Sequence, residues 1–147
     1  TRALRPAMYL IDTNVVSEAR KGPRANPGVR RFFDQAAGSD WPLYLSVVTI
    51  GELRRGVELI RHRGDQAQAG VLEVWLDEIL GDYRDHILSL DPEVAQVWGR
   101  LRVPHPENAL DKQIAATALV YDLTLLTRNT SDLCPDHTLT LATPRIK

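Results

Sequence analysis

Met8-Tyr9-Leu10-Ile11-Asp12-Thr13-Asn14-Val15-Val16-Ser17-Glu18 passes from an unbroken apolar run straight to a carboxylate. An apolar run of that length, without polar alternation, predicts a strand buried on both faces, as in the middle of a parallel sheet. Asp12 stands at its carboxyl end, and the residues from Thr13 to Arg20 read as a short helix. Asp12 has an ordinary use there as the cap of that helix. The local sequence offers no other partner for a charge that ends a buried strand.

Outward from this stretch, strand and helix keep alternating. Lys21-Gly22-Pro23-Arg24-Ala25-Asn26-Pro27 is turn chemistry, and a helix follows from Pro27 to about Ala37 with Val29, Phe32 and Phe33 inward. Leu43-Tyr44-Leu45-Ser46-Val47-Val48 predicts a second strand. Thr49 then opens a helix on which Ile50, Leu53, Val57 and Ile60 share one face, with Gly64 closing it. A second helix over 65–83 carries Val71, Leu72, Trp75, Leu76, Ile79 and Leu80 as a broad apolar stripe, which makes a helical hairpin; the stripe suits either burial within the domain or a dimer surface. His86 to Leu90 is a third strand. Asp91-Pro92-Glu93 opens a helix with a cap, a proline in the first turn and an acid near the positive end of the dipole. After the break at Val103-Pro104-His105-Pro106-Glu107, a helix from Ala109 to Tyr121 carries small residues that let it lie close to a sheet. Leu123 to Thr127 and Thr138 to Leu141 are the fourth and fifth strands. Repeated strand–helix units imply an α/β sandwich with a mainly parallel central sheet of about five strands. Such sheets bind ligands beyond the carboxyl ends of their strands.

The chain has 147 residues, 44% of them apolar and 25% charged. That length implies one domain over 1–147, with 1–7 as a loosely held extension. A single cysteine, Cys134, excludes an internal disulfide framework and a multi-cysteine zinc cluster, and the histidines show no ligand spacing. A formal net charge of -1 excludes a polycation built to coat nucleic acid. No apolar run approaches the roughly 18–20 residues of a membrane span, and the first residues lack a secretory signal pattern. The expected location is the cytoplasm.

Acids recur where the sheet rule says to look. Asp12 follows the first strand, Glu52 lies just after the second, Asp111 opens the alanine-rich helix, and Asn129 and Asp132 follow the fourth strand after Thr127-Arg128. Taken singly, these residues read as helix-start devices. Thr49-Ile50-Gly51-Glu52 has the form of a capping box, and Asn108 to Asp111 and Asn129 to Asp132 repeat its spacing. Taken together, several carboxylates at one sheet edge raise one another's pKa and call for a counter-charge. A hard divalent cation, Mg²⁺ or Mn²⁺, is the usual one, and carboxylate-held metals suit phosphodiester hydrolysis.

Four blocks carry a family resemblance: Leu10 to Glu18, Ser46-Val47-Val48-Thr49-Ile50-Gly51-Glu52-Leu53-Arg54-Arg55-Gly56, Asp111-Lys112-Gln113-Ile114-Ala115-Ala116-Thr117-Ala118, and Leu125-Leu126-Thr127-Arg128-Asn129-Thr130-Ser131-Asp132-Leu133. In this order the chain resembles PIN-domain proteins, especially the VapC-type toxins of bacterial toxin–antitoxin pairs. The resemblance implies a PIN-like three-layer sandwich and a Mg²⁺- or Mn²⁺-dependent endoribonuclease that hydrolyses RNA to 5′-phosphate and 3′-hydroxyl ends. It also implies a small cognate antitoxin that blocks the site, and self-association as a homodimer. Carried over by position, Asp12, Glu52 and Asp111 are the catalytic acids and metal ligands. Asp132 is a fourth candidate ligand, and Thr13, Asn14, Thr127 and Asn129 are supporting groups.

Two other readings compete. A catalytically weak PIN module would act mainly by binding a partner. A haloacid-dehalogenase-like phosphatase would also begin with an acid after its first strand, but it wants a second aspartate where this chain has Asn14. The basic residues Arg54, Arg55, Arg61, His62 and Arg63 read first as a solvated helix face paired with Glu52 and Glu58, and second as an RNA phosphate contact. Trp41, Trp75 and Trp98 read as core or interface anchors rather than base-stacking platforms.

Overall fold

The computed structural model describes residues 8–128 and 140–142. Strand β1 (Tyr9–Ile11) is followed by α1 (Thr13–Ala19), a 3₁₀ turn over Gly22–Arg24, and α2 (Pro27–Ser39). Then come β2 (Leu43–Ser46), the hairpin of α3 (Val47–His62) and α4 (Gln66–Asp82), a 3₁₀ turn over Arg84–His86, and β3 (Ile87–Leu88). The chain continues through α5 (Pro92–Leu101), α6 (Ala109–Val120), β4 (Thr124–Thr127) and β5 (Thr140–Ala142). The sheet order is β3-β2-β1-β4-β5. The pairs β1–β2, β1–β4 and β2–β3 are parallel, and β5 runs antiparallel to β4. The expected α/β sandwich with a mainly parallel sheet is therefore the fold observed.

Side chains alternate across the sheet, and this alternation makes the layers. Ile11, Leu45 and Leu126 face a core shared with Val15, Val16, Val29, Leu53, Val57 and Leu76 of α1 to α4. Leu10 faces the other way, against Ile114 and Ala118 of α6. Helix α5 packs on α6 through Val94, Val97 and Ala116. Helices thus cover both faces of the sheet. Leu10 and Ile11 are fully buried, as a two-faced strand requires, and truncating either to alanine would cost about 2–5 kcal/mol.

Three sequence expectations shift. The second strand ends at Ser46, not Val48, because the Ser46 hydroxyl accepts the Val48 N–H at 3.0 Å and caps α3. The third strand contracts to Ile87–Leu88. The apolar stripe of α4 turns inward through Leu72, Trp75, Leu76, Ile79 and Leu80, which pack on the core, while Val71 is exposed. The tryptophans are anchors: Trp41 packs at a tilt against Tyr9 and Phe32, and the Trp98 Nε1–H donates to the Ala109 carbonyl at 3.0 Å. Residues 1–7, Asn129, Asp132 and Cys134 lie outside the described residues. Among the described residues, no helix is long and apolar enough to cross a membrane.

Candidate active site

The parallel pairing of β1 with β4 puts Asp12 beside Thr127. Asp12 ends β1 and caps α1, accepting the Thr13 N–H at 2.8 Å through Oδ1. Its Oδ2 accepts the Thr127 hydroxyl at 2.7 Å, and its own N–H donates to the Leu126 carbonyl at 2.9 Å. Both the capping reading and the site reading of Asp12 are thus true of one side chain. Burial is the largest influence on the Asp12 pKa and, with the charge of Asp111, leaves it raised despite the hydrogen bonds from Thr127 and Thr13.

Glu52 does not belong to a capping box. Ser46 caps α3, so Thr49 lies inside the first turn and is fully buried. The Thr13 hydroxyl lies 3.2 Å from Glu52 Oε1 and 3.0 Å from the Thr49 hydroxyl. Thr13 has one proton to give; toward an ionised Glu52 it donates to the carboxylate and accepts from Thr49. Burial raises the Glu52 pKa, against the Thr13 hydrogen bond, and Asp111 and Asp12 raise it further while Arg55 opposes them.

Asp111 sits exposed in the first turn of α6. With Asp12, Asn108, Lys112, Ile114, Ala115, Leu125 and Thr127 it lines a cleft of about 330 Å³. Asn108 takes a left-handed backbone (φ 59°) and makes no side-chain cap bond, so the capping-box spacing of Asn108 to Asp111 also has no box behind it. Asn14 lends its side-chain oxygen to the Arg128 N–H at 3.2 Å. It holds the end of β4 and stands exposed, where a phosphatase would need an acid.

Sequence reasoning missed Thr49, masked by the capping-box pattern although Ser46 was the better-placed cap. It also missed Glu18, which is buried and accepts the Arg128 guanidinium at 2.8 Å, the Asn26 N–H at 2.9 Å and the Lys21 ammonium at 3.0 Å. Its place at i+4 from Asn14 in the opening block was the available signal.

The donor set consists of hard oxygens, and the charge of Asp111 adds to the rise in the pKa of Asp12 and Glu52, which fits a hard divalent cation. Among the described residues, no three His, Cys, Asp or Glu side chains form a ready-made cage for one ion. Mg²⁺ does not need one, since it is commonly held by one or two carboxylates with water and phosphate oxygens completing the shell.

The PIN-domain family model matches residues 9–133. The chain belongs to the PIN-domain family. This PIN domain is 36% identical to Toxin FitB of Neisseria gonorrhoeae over 129 residues, 84% of this chain and 88% of that one. It is 33% identical to the plasmid stability protein StbB of Pseudomonas syringae pv. tomato, with the same coverage. The solved structure of FitAcB from Neisseria gonorrhoeae superposes with a TM-score of 0.70 at 36% identity, covering 84% of this PIN domain and 88% of that chain. VapBC2 from Rickettsia felis, bound to a DNA fragment from its promoter, shares the fold with a TM-score of 0.61 at 20% identity, covering 84% of this PIN domain and 89% of that chain. The phosphatase alternative is thereby set aside.

Proposed function

We propose that this PIN domain is the toxin of a toxin–antitoxin pair and a Mg²⁺- or Mn²⁺-dependent endoribonuclease. A small cognate antitoxin would hold it inactive. The observation that carries the reading is geometric: Asp12 after β1 and Asp111 on α6 line one cleft, and Thr13, next to Asp12, bonds Glu52 on α3 at 3.2 Å. The kinship to Toxin FitB, and to a FitAB complex solved on a DNA fragment, supports the toxin and antitoxin roles. A cytoplasmic location and a homodimer belong to the same reading.

Asp12, Glu52 and Asp111 would hold the cation, with Asp132 as a fourth carboxylate and Asn129 as a hydrogen-bonding neighbour. When bound, the ion supplies activation of water and neutralisation of charge at the phosphate. The rest is done by the chain. Among the described residues, each Asp12 oxygen accepts one hydrogen bond, from Thr13 or Thr127, which leaves a lone pair on each. Thr13 orients Glu52 in the same way. No protein nucleophile is required, so RNA need only be positioned for in-line attack by water.

The test is cleavage of labelled RNA by the purified protein with and without Mg²⁺, beside Asp12→Ala and Asp111→Ala. Both variants should stay folded and lose on the order of a hundredfold or more in rate, the equivalent of several kcal/mol of lost charge stabilisation. Undiminished cutting by either would remove that residue from the set. Absence of any metal-dependent turnover in the unaltered protein would favour the binding-module reading.

A further inference from the structure

Two side chains on one face of α1, Asn14 and Glu18, grip Arg128, which follows Thr127 directly at the end of β4. Asn14 Oδ1 accepts the Arg128 backbone N–H at 3.2 Å, and Glu18 Oε1 accepts its guanidinium at 2.8 Å. The ion pair is well shielded, with the Glu18 side chain 9% and the Arg128 side chain 26% exposed. Glu18 has no freedom to move away, because its other oxygen accepts the N–H of Asn26, the residue that caps α2. The carboxylate therefore ties α1, the start of α2 and the end of β4 at one point.

That point lies one residue from the Thr127 hydroxyl that holds Asp12 Oδ2 at 2.7 Å. Asp12 is itself the cap of α1. The strand end and the helix start are thus joined through the acid pocket, through Asn14 and the Arg128 N–H, and through the Glu18–Arg128 pair. We propose that Glu18 and Arg128 form a latch that positions the acid site. It fixes the end of β4 against α1 so that Thr127 presents its hydroxyl to Asp12. Glu18 and Arg128 are positioning residues in this role, and neither is asked to touch substrate. The inference rests on the metal-dependent nuclease reading and assigns that site two residues beyond its acids and hydroxyls.

Arg128→Met is the clean variant, since Glu18 retains Lys21 and the Asn26 N–H; Arg128→Lys restores the charge without the planar fork. Three readouts are taken on each purified full chain: the thermal unfolding transition, Mn²⁺ affinity by calorimetry, and kcat and KM for RNA cleavage. Groups that orient metal ligands typically change metal affinity by about 10–100-fold when removed. The latch predicts that folded Arg128→Met binds Mn²⁺ about tenfold more weakly and loses kcat by a similar factor, with KM within about twofold, and that Arg128→Lys recovers part of both. Hydrogen exchange at the Asp12 amide, bonded to the Leu126 carbonyl, should also quicken in the metal-free variant.

A folded Arg128→Met with unchanged Mn²⁺ affinity and kcat overturns the latch and leaves the nuclease reading standing. A rise in KM alone overturns it too, by making Arg128 a contact for RNA phosphates. An unaltered protein that neither binds Mn²⁺ nor cuts RNA overturns the nuclease reading itself, and the latch with it.

Discussion

Glu52 and Glu58 lie on the same helix, and their surroundings are opposite. Glu58 is exposed and accepts hydrogen bonds from both Arg54 and Arg61. The same two arginines reach across the hairpin to Glu73 on α4, at 2.8 and 3.1 Å. The hydrogen bond from Arg61 to Glu58, and that from Arg54 to Glu73, hold these carboxyls below the usual range. Among the described residues Glu52 meets no arginine at bonding distance, and burial together with Asp111 and Asp12 pushes its pKa up. The outer side of α3 is thus a closed set of charges that fastens the hairpin, which is the solvated-face reading of Arg54 and Arg61. The inner side leaves negative charge in excess. A charge network that is complete within the chain holds the fold together, and one that is incomplete is poised to bind.

The comparison would break most sharply on activity. Glu52→Gln should lose on the order of a hundredfold in RNA cleavage, whereas Glu58→Gln should stay within about twofold, measured as initial rates at saturating Mg²⁺. Equal losses would erase the distinction between the two sides of α3. Next in size is the response to metal. At about 100 times its dissociation constant, a cation that binds only the folded chain adds about 2.7 kcal/mol of stability. Melting with and without Mn²⁺ should show a rise of several degrees for the unaltered chain and for Glu58→Gln, and a smaller rise for Glu52→Gln.

A smaller effect comes from pH in the presence of chelator. Glu52 titrates above its ordinary 4.5 in the folded chain, so its favourable contribution is complete below that pH and is lost as pH rises through the elevated value. Glu52→Gln should therefore melt above the unaltered chain at neutral pH, with the gap closing on acidification. Glu58 titrates below 4.5, so its contribution is present above that pH and is lost as pH falls; Glu58→Gln should melt slightly lower at neutral pH, and that gap should also close in acid. The smallest effect belongs to Glu73→Gln. Its exposed pairs should shift Tm by no more than about 2 °C, and less in high salt.

The layers of the fold were legible because the sequence writes them twice. The unbroken apolar run of β1 announces a strand covered on both sides, and the small residues of α6 announce the helix that covers one of them. Boundaries were less legible where two caps competed. The sequence pattern puts Ser46 inside a strand and opens the helix at Thr49, but the Ser46 hydroxyl accepts the Val48 N–H and Thr49 turns inward to Thr13. The acids were legible as positions, since strand ends and helix starts can be read from pattern. Their support was not, because Thr127 to Asp12 and Arg128 to Glu18 join residues 115 and 110 positions apart. No local rule reports which hydroxyl will meet which carboxylate at that range.

The adjacency of β1 and β4 also has a temporal consequence. The ribosome makes Asp12 before Thr127, so the hydrogen bond between them cannot form until the chain between them, a separation of 115 residues, has been synthesised. Pairings this distant in sequence are slow to close, because loop entropy is lost before any contact compensates for it. A nascent chain stalled before β4 would carry Asp12, Glu52 and Asp111 without the strand that brings Thr127 to Asp12. Assembly of the pocket thus waits on the emergence of β4.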